Sequence, residues 1–192
     1  MRPRTDEIIR AFTEGSPSDR QAILAAMPPT MARDVAIQLA ASDEPSIAVV
    51  GLDQVTADHV GDRDPELCLS LATACYHVCR HLYGNHGAGP AQVYVNTAGR
   101  SAHFVITALR SLSRYEEVLR FLDAALPWLE EARHRSHLTD LMIARIEAHL
   151  HLRHENQAAE LLLAIPEDLR SQDVRFASLR RRLDVIAAPD RL

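Results

Sequence analysis

The chain has 192 residues, of which 47% are hydrophobic and 24% charged, so it can bury a continuous core. Its net charge of −5 disfavours a general nucleic-acid binder, because such proteins present a basic face. All 21 basic residues are arginine, which excludes Schiff-base chemistry, a Walker-type phosphate loop and a lysine nucleophile.

Localisation is indicated by what the sequence lacks. No hydrophobic run approaches the roughly 18 residues needed to span a bilayer, and the acidic N-terminal segment does not resemble a signal peptide. Three cysteines, all between positions 68 and 79, do not form a disulfide framework. We therefore expect a cytoplasmic protein with reduced thiols, and the arginine-only, alanine-rich composition is typical of a GC-rich bacterial genome.

The first 60 residues have the least regular pattern. Short helices are expected at 5–13, 18–26 and 31–41, with a break at Pro28-Pro29. Residues 46–60 could form a helix, but Val49-Val50 beside Gly51 leaves a strand possible. An acidic stretch then predicts an exposed segment, so we divide the chain into an N-terminal helical region, 1–60, and a helical array, 61–192.

Helical periodicity dominates the array. Pro65 suits the first turn of a helix over 68–83, and the glycine-rich stretch 84–90 separates it from the next. Ser113 is expected to cap the third helix, and Pro127 to kink it or convert its last turn. Further helices are expected at 91–111, 114–131, 137–153, 155–165 and 171–187, the last as a C-terminal cap.

Apolar residues at three- and four-residue spacing predict the buried face of each helix. The expected buried residues are Ala98, Ala102, Val105, Ile106, Leu109, Tyr115, Val118, Leu119, Leu122, Leu126, Leu129, Phe176, Leu179, Leu183 and Ile186. This pattern predicts an all-α fold of short amphipathic helices that must cover one another.

The stretch 113–126, SRYEEVLRFLDAAL, resembles the second half of a tetratricopeptide repeat. Tyr115 falls at the turn aromatic, Glu116 and Glu117 supply the first-turn acidic residues, and Ala125 occupies the small close-packing site. Val118 and Leu122 depart from the alanine and aromatic residues that the family prefers there, and the preceding helix matches poorly. A fainter second unit has Ala158, Leu162 and Ile165 at the corresponding spacing.

The resemblance covers residues 95–166 and implies a right-handed solenoid of antiparallel helical hairpins. It also implies that the first helix of each hairpin lines a concave groove that binds peptides or partner proteins. Stacking agrees with the physics of such hairpins, because each leaves an apolar face that only a neighbour can cover.

Cysteines and histidines are concentrated on one helix, which raises the possibility of a metal site there. At 100° per residue, Cys68, Cys75 and Cys79 share one side, whereas His77 and His81 point to the other, so the five cannot converge on one ion. The cysteines are interpreted as small core residues, although His77 and His81 could share a metal with His86. No catalytic motif is present, so we expect no enzyme activity, metal or cofactor.

The predicted binding site is a polar stripe opposite the apolar face of the 91–111 helix, continued on the 137–153 helix. Its residues are Asn96, Arg100, His103, Thr107, Arg110, Asp140, Glu147 and His151. Together they would form a groove with cationic and anionic ends that reads the charges of a peptide. Two alternatives stay open: an ordinary solvated face, or a different hairpin phase with the groove at Glu66, Ser70, Thr73, His77 and Arg80.

These features predict an adaptor or regulatory module that binds a partner protein or peptide, as one part of a larger multidomain system. Two rival interpretations remain. One is a homo-oligomeric structural module whose apolar edges pair with themselves. The other is a helical metal-binding protein or enzyme that uses the histidine-rich surface.

Overall fold

The computed structural model describes residues 64–85, 88–132 and 137–187, together with the helical positions Met31, Asp34, Asp53, Thr56 and Ala57. The described residues are all-α, with seven helices and no strand. The helices are α1 (Pro65–Asn85), α2 (Ala88–Ser111), α3 (Tyr115–Glu131), α4 (Leu138–His151), α5 (Glu155–Ala164), α6 (Glu167–Gln172) and α7 (Val174–Ala187). No helix in this part of the chain is long and apolar enough to cross a membrane.

The expected helices of the array are confirmed to within a few residues, except at the C-terminal end. The sequence did not predict α6, and the last helix begins at Val174. The cause is Asp173, whose backbone is extended and whose Oδ1 accepts a hydrogen bond from the Arg175 amide at 2.9 Å. An aspartate in this position caps the start of a helix, so α6 and α7 are separate.

The prediction that Ser113 caps α3 is wrong. Ser113 has a φ of 57°, in the left-handed region, and Arg114 is the residue that precedes the helix. Arg114 makes no side-chain cap, and its guanidinium instead donates to the Glu117 carboxylate, with Nη2 and Oε2 2.7 Å apart. Ser113 instead occupies the left-handed position of the turn that ends α2.

The same turn recurs forty residues later, between α4 and α5. Arg153 has a φ of 61°, and the residues after the two left-handed positions, Arg114 and His154, have φ/ψ of −93°/61° and −96°/59°. In the second turn the amides of Arg153 and His154 donate to the carbonyls of Leu150 and His149 at 3.2 and 2.8 Å. These two bonds define the Schellman ending of a helix.

Pro127 lies inside α3 without ending it. The segment stays α-helical to Glu131, and the Ala132 amide donates to the Trp128 carbonyl at 2.9 Å. Proline removes one backbone donor, but the turn that follows keeps its hydrogen bonds. The expected conversion of the last turn is therefore not seen.

The chain divides into two compact units between Leu112 and Ser113. In the first unit, α1 packs against α2. The core of this unit includes the three cysteines, as expected, and also Tyr76 and Tyr94, which the sequence had not assigned to it. Of the side chains predicted to be buried in α2, all are buried: Ala98, Ala102, Val105, Ile106 and Leu109. The predicted boundary between 60 and 61 falls inside this unit and stays a prediction.

In the second unit, α4 packs against α3, α5 and α7, and α7 also contacts α5 and α6. A buried cluster joins α4, α5 and α7, and consists of Ile143, Ile146, Leu150, Ala158, Leu162, Ile165, Phe176 and Leu179. Of the predicted core of α3, Val118, Leu122, Leu126 and Leu129 are buried, whereas Tyr115 and Leu119 are half-buried. In α7, Leu183 and Ile186 are also half-buried.

The predicted helices at 5–13 and 18–26 lie outside the described residues. Met31 and Asp34 are helical, as expected for 31–41. Asp53, Thr56 and Ala57 are helical as well, which argues against a strand at those positions.

Candidate functional site

In the first unit, the predicted polar stripe is centred on Arg100. Its Nη1 lies 3.1 Å from Oδ2 of Asp53, and its guanidinium carbon lies 5.4 Å from the ring centroid of Phe104. Burial raises the pKa of Asp53, and the positive charge of Arg100 opposes that rise. The protein itself therefore supplies both a carboxylate and an aromatic face to this cation.

The other stripe residues on α2 differ in solvent exposure and in their hydrogen-bond partners. Asn96 is exposed, and its Oδ1 accepts a hydrogen bond from Nε2 of Gln92 at 3.0 Å. The Thr107 hydroxyl donates to the His103 carbonyl at 2.9 Å, so it points along its own helix. Arg110 is exposed. Asn96 and Thr107 thus have hydrogen-bond partners on their own helix.

In the second unit, the predicted residue Asp140 connects two helices. Its Oδ1 lies 2.7 Å from Nη1 of Arg175 in α7, and Arg175 also forms an ion pair with Asp173. Hydrogen bonds from Arg175 hold the pKa of Asp173 below its usual range, and its two acidic partners raise the pKa of Arg175. Asp140 therefore helps to fix α7 on α4, a role that the sequence pattern did not predict.

The remaining predicted residues on α4 are His151 and Glu147. His151 is exposed, and its ring stacks on Tyr115 of α3 with centroids 4.1 Å apart and planes 5° from parallel. Glu147 is half-buried. The stripe's two halves belong to separate units, so the joint groove that the sequence predicted stays a prediction.

A groove of about 370 Å³ opens between α5, α6 and α7, and we call it the terminal groove. Leu162 and Phe176 are buried beneath it, whereas Leu163 is 69% exposed beside them. The complete lining is Ala159, Leu162, Leu163, Glu167, Arg170, Ser171, Phe176, Ala177, Arg180, Leu183 and Asp184. A groove with an apolar floor is the kind of surface into which an amphipathic helix lays its apolar face.

Charges of both signs line the terminal groove. Glu167 and Arg170 come from α6, and Arg180 and Asp184 come from α7. The arrangement is an apolar centre with a polar rim, the usual anatomy of a protein interface. The sequence did not predict the terminal groove because it did not predict α6. One signal was available: residues 161–163 are three consecutive leucines, which point in different directions from one helix, so the helix cannot bury all of them.

A second depression, of about 260 Å³, lies between α3, α4 and α5 and is lined by Pro127, Met142 and Leu161 among others. Asp123 and Arg145 also line it and form an ion pair with each other. Because this pair links α3 to α4 across the depression, its charged groups are already partnered. We therefore regard the terminal groove as the stronger candidate.

The cysteines are core residues, as the helical geometry predicted. All three are buried and free of disulfides, whereas His77 and His81 are exposed. Burial raises the pKa of Cys68, and a hydrogen bond with Cys75, followed by burial, raises that of Cys79. Cys68 and Cys79 are therefore poor nucleophiles. The described residues contain no group of three or more histidine, cysteine, aspartate or glutamate side chains that could hold a metal ion.

Comparison with known proteins finds no matching family, curated protein or solved structure. The resemblance of residues 113–126 to a tetratricopeptide repeat therefore stays a prediction from those residues.

Proposed function

We propose that the protein is an adaptor or regulatory module that binds a helical segment of a partner protein in the terminal groove. The observation that carries this proposal is the 69% exposure of Leu163 above the buried side chains of Leu162 and Phe176. Burying a leucine side chain contributes about 1.5–3 kcal/mol, so a partner that covered this residue would gain appreciable affinity. No bond is made or broken in this mechanism.

The dimensions of the walls favour an amphipathic helix as the occupant. The helices α5 and α7 have 10 and 14 residues, which corresponds to about 15 and 21 Å of wall. An amphipathic helix laid along such walls contacts them through apolar residues at positions i, i+3 or i+4, and i+7.

The charges on α7 favour acidic flanks on the partner. Arg180, Arg181 and Arg182 are all exposed, and Asp184 is the acidic residue among the described positions of this helix. Arg180 lines the groove, and Arg181 and Arg182 lie on the same helix outside its lining. Opposite charges around an apolar core increase the association rate and discriminate against wrong partners. The proposed ligand is therefore a partner helix with an apolar stripe and an excess of acidic residues beside it.

The recurring turn supports a repeated hairpin as the underlying design. The turns at Ser113 and Arg153 share their left-handed residue and the conformation of the residue that follows. Their separation of forty residues is larger than the roughly 34 of a tetratricopeptide repeat. We therefore propose a solenoid of helical hairpins that is tetratricopeptide-like in its turns, within a larger bacterial system. Its free, buried cysteines favour a cytoplasmic location.

The proposal can be tested with a display library of helical 18-residue peptides that have fixed apolar positions and randomised flanks. We expect the full chain to enrich peptides with acidic flanks. Leu163→Glu should weaken the best of them at least tenfold, because it places a charge on the apolar centre. Gln157→Glu is the matched control, since it adds the same charge at an exposed position of α5 outside the groove lining.

Binding would be measured by titration calorimetry on variants whose thermal unfolding matches the parent. Failure to enrich any peptide, or equal affinity of Leu163→Glu and the parent, would overturn the proposal. Enrichment of basic peptides would leave the groove in place and contradict the expected charge of the partner.

A second copy of the chain is the alternative occupant. The rim carries two arginines and two acidic residues, so it could pair with itself in a two-fold interface. Sedimentation over a concentration series separates the two functions. A dimer in the parent that dissociates in Leu163→Glu would assign the groove to self-association, whereas a monomer at every concentration would exclude it.

A further inference from the structure

The histidines at the α4–α5 turn form a close pair that neither proposed binding surface uses. The Nδ1 atoms of His149 and His154 lie 3.4 Å apart, and their ring centroids are separated by 5.6 Å. The 3.4 Å gap between the two nitrogens accounts for most of the 5.6 Å between the ring centroids. The nitrogens therefore lie between the two rings, which face each other nearly end to end. Each Nδ1 atom is therefore directed at the other.

The backbone fixes this arrangement. The left-handed residue Arg153 turns the chain back, and the His154 amide then donates to the His149 carbonyl at 2.8 Å. His149 is half-buried at the end of α4, and His154 is the exposed residue that precedes α5. The imidazoles are thus held together by the geometry that reverses the chain.

The pair can hold one proton between its Nδ1 atoms but not two. A neutral imidazole carries one donor and one acceptor nitrogen, so one ring can donate to the other. When both rings are protonated, two N–H groups with positive charge face each other. With the two nitrogens 3.4 Å apart, this repulsion destabilises the doubly charged form.

Charged groups from the neighbouring elements act on His149. Burial lowers its pKa most, followed by the charge of His154 and that of Arg145 in α4, while Asp123 of α3 opposes them. His149 therefore gains its charge only in more acidic solution than an ordinary histidine does. The ion pair of Arg145 with Asp123 reduces the attraction that the carboxylate could offer to a protonated ring.

We propose that His149 and His154 form a pH-sensitive latch on the α4–α5 turn. The latch is closed while the two rings share a proton and opens when both become charged. Opening loosens the start of α5, because His154 immediately precedes that helix and its carbonyl accepts from the Ala158 amide at 3.0 Å. The inference does not depend on what the terminal groove binds.

The direction of the pH dependence follows from the lowered pKa of His149. Below about pH 6.5 the unfolded chain binds more protons at this residue than the folded chain does, so stability rises with pH. The contribution is fully present above the unfolded pKa of about 6.5 and is lost as the pH falls toward the folded value.

The test is hydrogen exchange of the full chain at pH 7.5 and 5.5, corrected for intrinsic rates, combined with titration of the histidine ring signals by NMR. EDTA is included so that a bound metal cannot hold the pair together. We expect the α5 amides from Ala158 onward to lose at least tenfold more protection at pH 5.5 than the α3 amides from Val118 onward, since these are the first amides of each helix with a helical hydrogen bond.

His154→Gln should abolish that difference and raise the pKa of His149, since it removes the second charge. The His154 side chain does not cap α5, so this variant keeps the helix. His151→Gln is the control: this exposed histidine of α4 stacks on Tyr115, outside the pair. The proposal is overturned if His149 titrates identically in the parent and in His154→Gln, or if α5 protection is the same at both pH values.

Discussion

Two residues with side chains, Ser113 and Arg153, have a left-handed backbone conformation that glycine adopts more easily. For an L-residue this conformation costs roughly 1–2 kcal/mol, because the Cβ atom approaches the following carbonyl oxygen. Each turn ends one helix and reaches the next within three residues, so a right-handed continuation is not available. The conformation is imposed by the reversal of the chain and not by the residue type.

Arg153→Gly should therefore increase the free energy of unfolding. The relief of about 1–2 kcal/mol is partly offset by the roughly 0.5–1 kcal/mol of chain entropy that glycine loses, which leaves a gain of about 0.5–1 kcal/mol. Urea unfolding followed by circular dichroism measures the change in the midpoint. Arg153→Ala is the control, because it removes the same side chain but keeps Cβ; equal gains in both variants would contradict the strain argument.

Ser113 shows what a residue-level pattern can miss. Serine before a helix is a good capping residue, and the sequence predicted it as one. The structure places it in the left-handed position of the turn, and Arg114 and Glu117 form an ion pair at the start of α3. The difference is a single position along the turn.

At the scale of elements, α7 is held on α4 by packing and by the ion pair of Arg175 with Asp140. Arg175 also binds Asp173, the residue that caps α7. One guanidinium thus links the start of α7 to the first turn of α4. Such partly exposed pairs contribute about 0–1 kcal/mol each. The apolar cluster therefore supplies most of the free energy that holds α7 on α4, and the ion pair adds a smaller local contribution.

Asp140→Asn should lower the hydrogen-exchange protection of the first amides of α7 by up to about fivefold, which corresponds to about 1 kcal/mol. Asp123→Asn is a suitable control, since it removes a different ion pair that links α4 to α3. Native-state hydrogen exchange with mass spectrometry measures both. An equal loss of α7 protection in the two variants would show that the Asp140–Arg175 contact has no specific role.

The terminal groove belongs to this scale as well. It exists because a six-residue helix, α6, separates α5 from α7 and leaves Leu163 uncovered. The sequence showed the amphipathic faces of the long helices, but a helix of this length has too few residues for a clear periodic pattern.

At the scale of the whole molecule, all the cysteines belong to the first unit. All three lie on α1, buried against its neighbours in the first unit. Their reactivity therefore reports the opening of that unit, because buried thiols are shielded from reagents and react slowly.

Ellman's reagent at pH 8 should modify none of the three thiols rapidly in the native protein, and all three after denaturation in guanidinium. Absorbance at the thionitrobenzoate band gives both the rate and the stoichiometry. Rapid modification of even one thiol in the native protein would contradict the burial of α1. Cys68→Ser, measured in parallel, identifies whether that thiol is the first to react.

The sequence by itself determined the all-α class, most helix boundaries in the array and the buried faces. These features depend on the 3.6-residue period of the α-helix, which can be seen in the spacing of apolar residues within a single segment. The side on which Cys68, Cys75 and Cys79 lie, and the burial of Ala98 to Leu109, follow from that period alone.

Only the tertiary structure decided which side chains meet across helices. Asp140 pairs with a residue 35 positions away, His149 and His154 approach because Arg153 reverses the chain, and Arg100 meets Asp53. A period fixes the direction of a side chain on its own helix, but its partner depends on how two helices are placed. The stripe that the sequence predicted as one polar groove lies on both units and stays a prediction, whereas Leu163 of α5 is exposed beside the floor of the terminal groove.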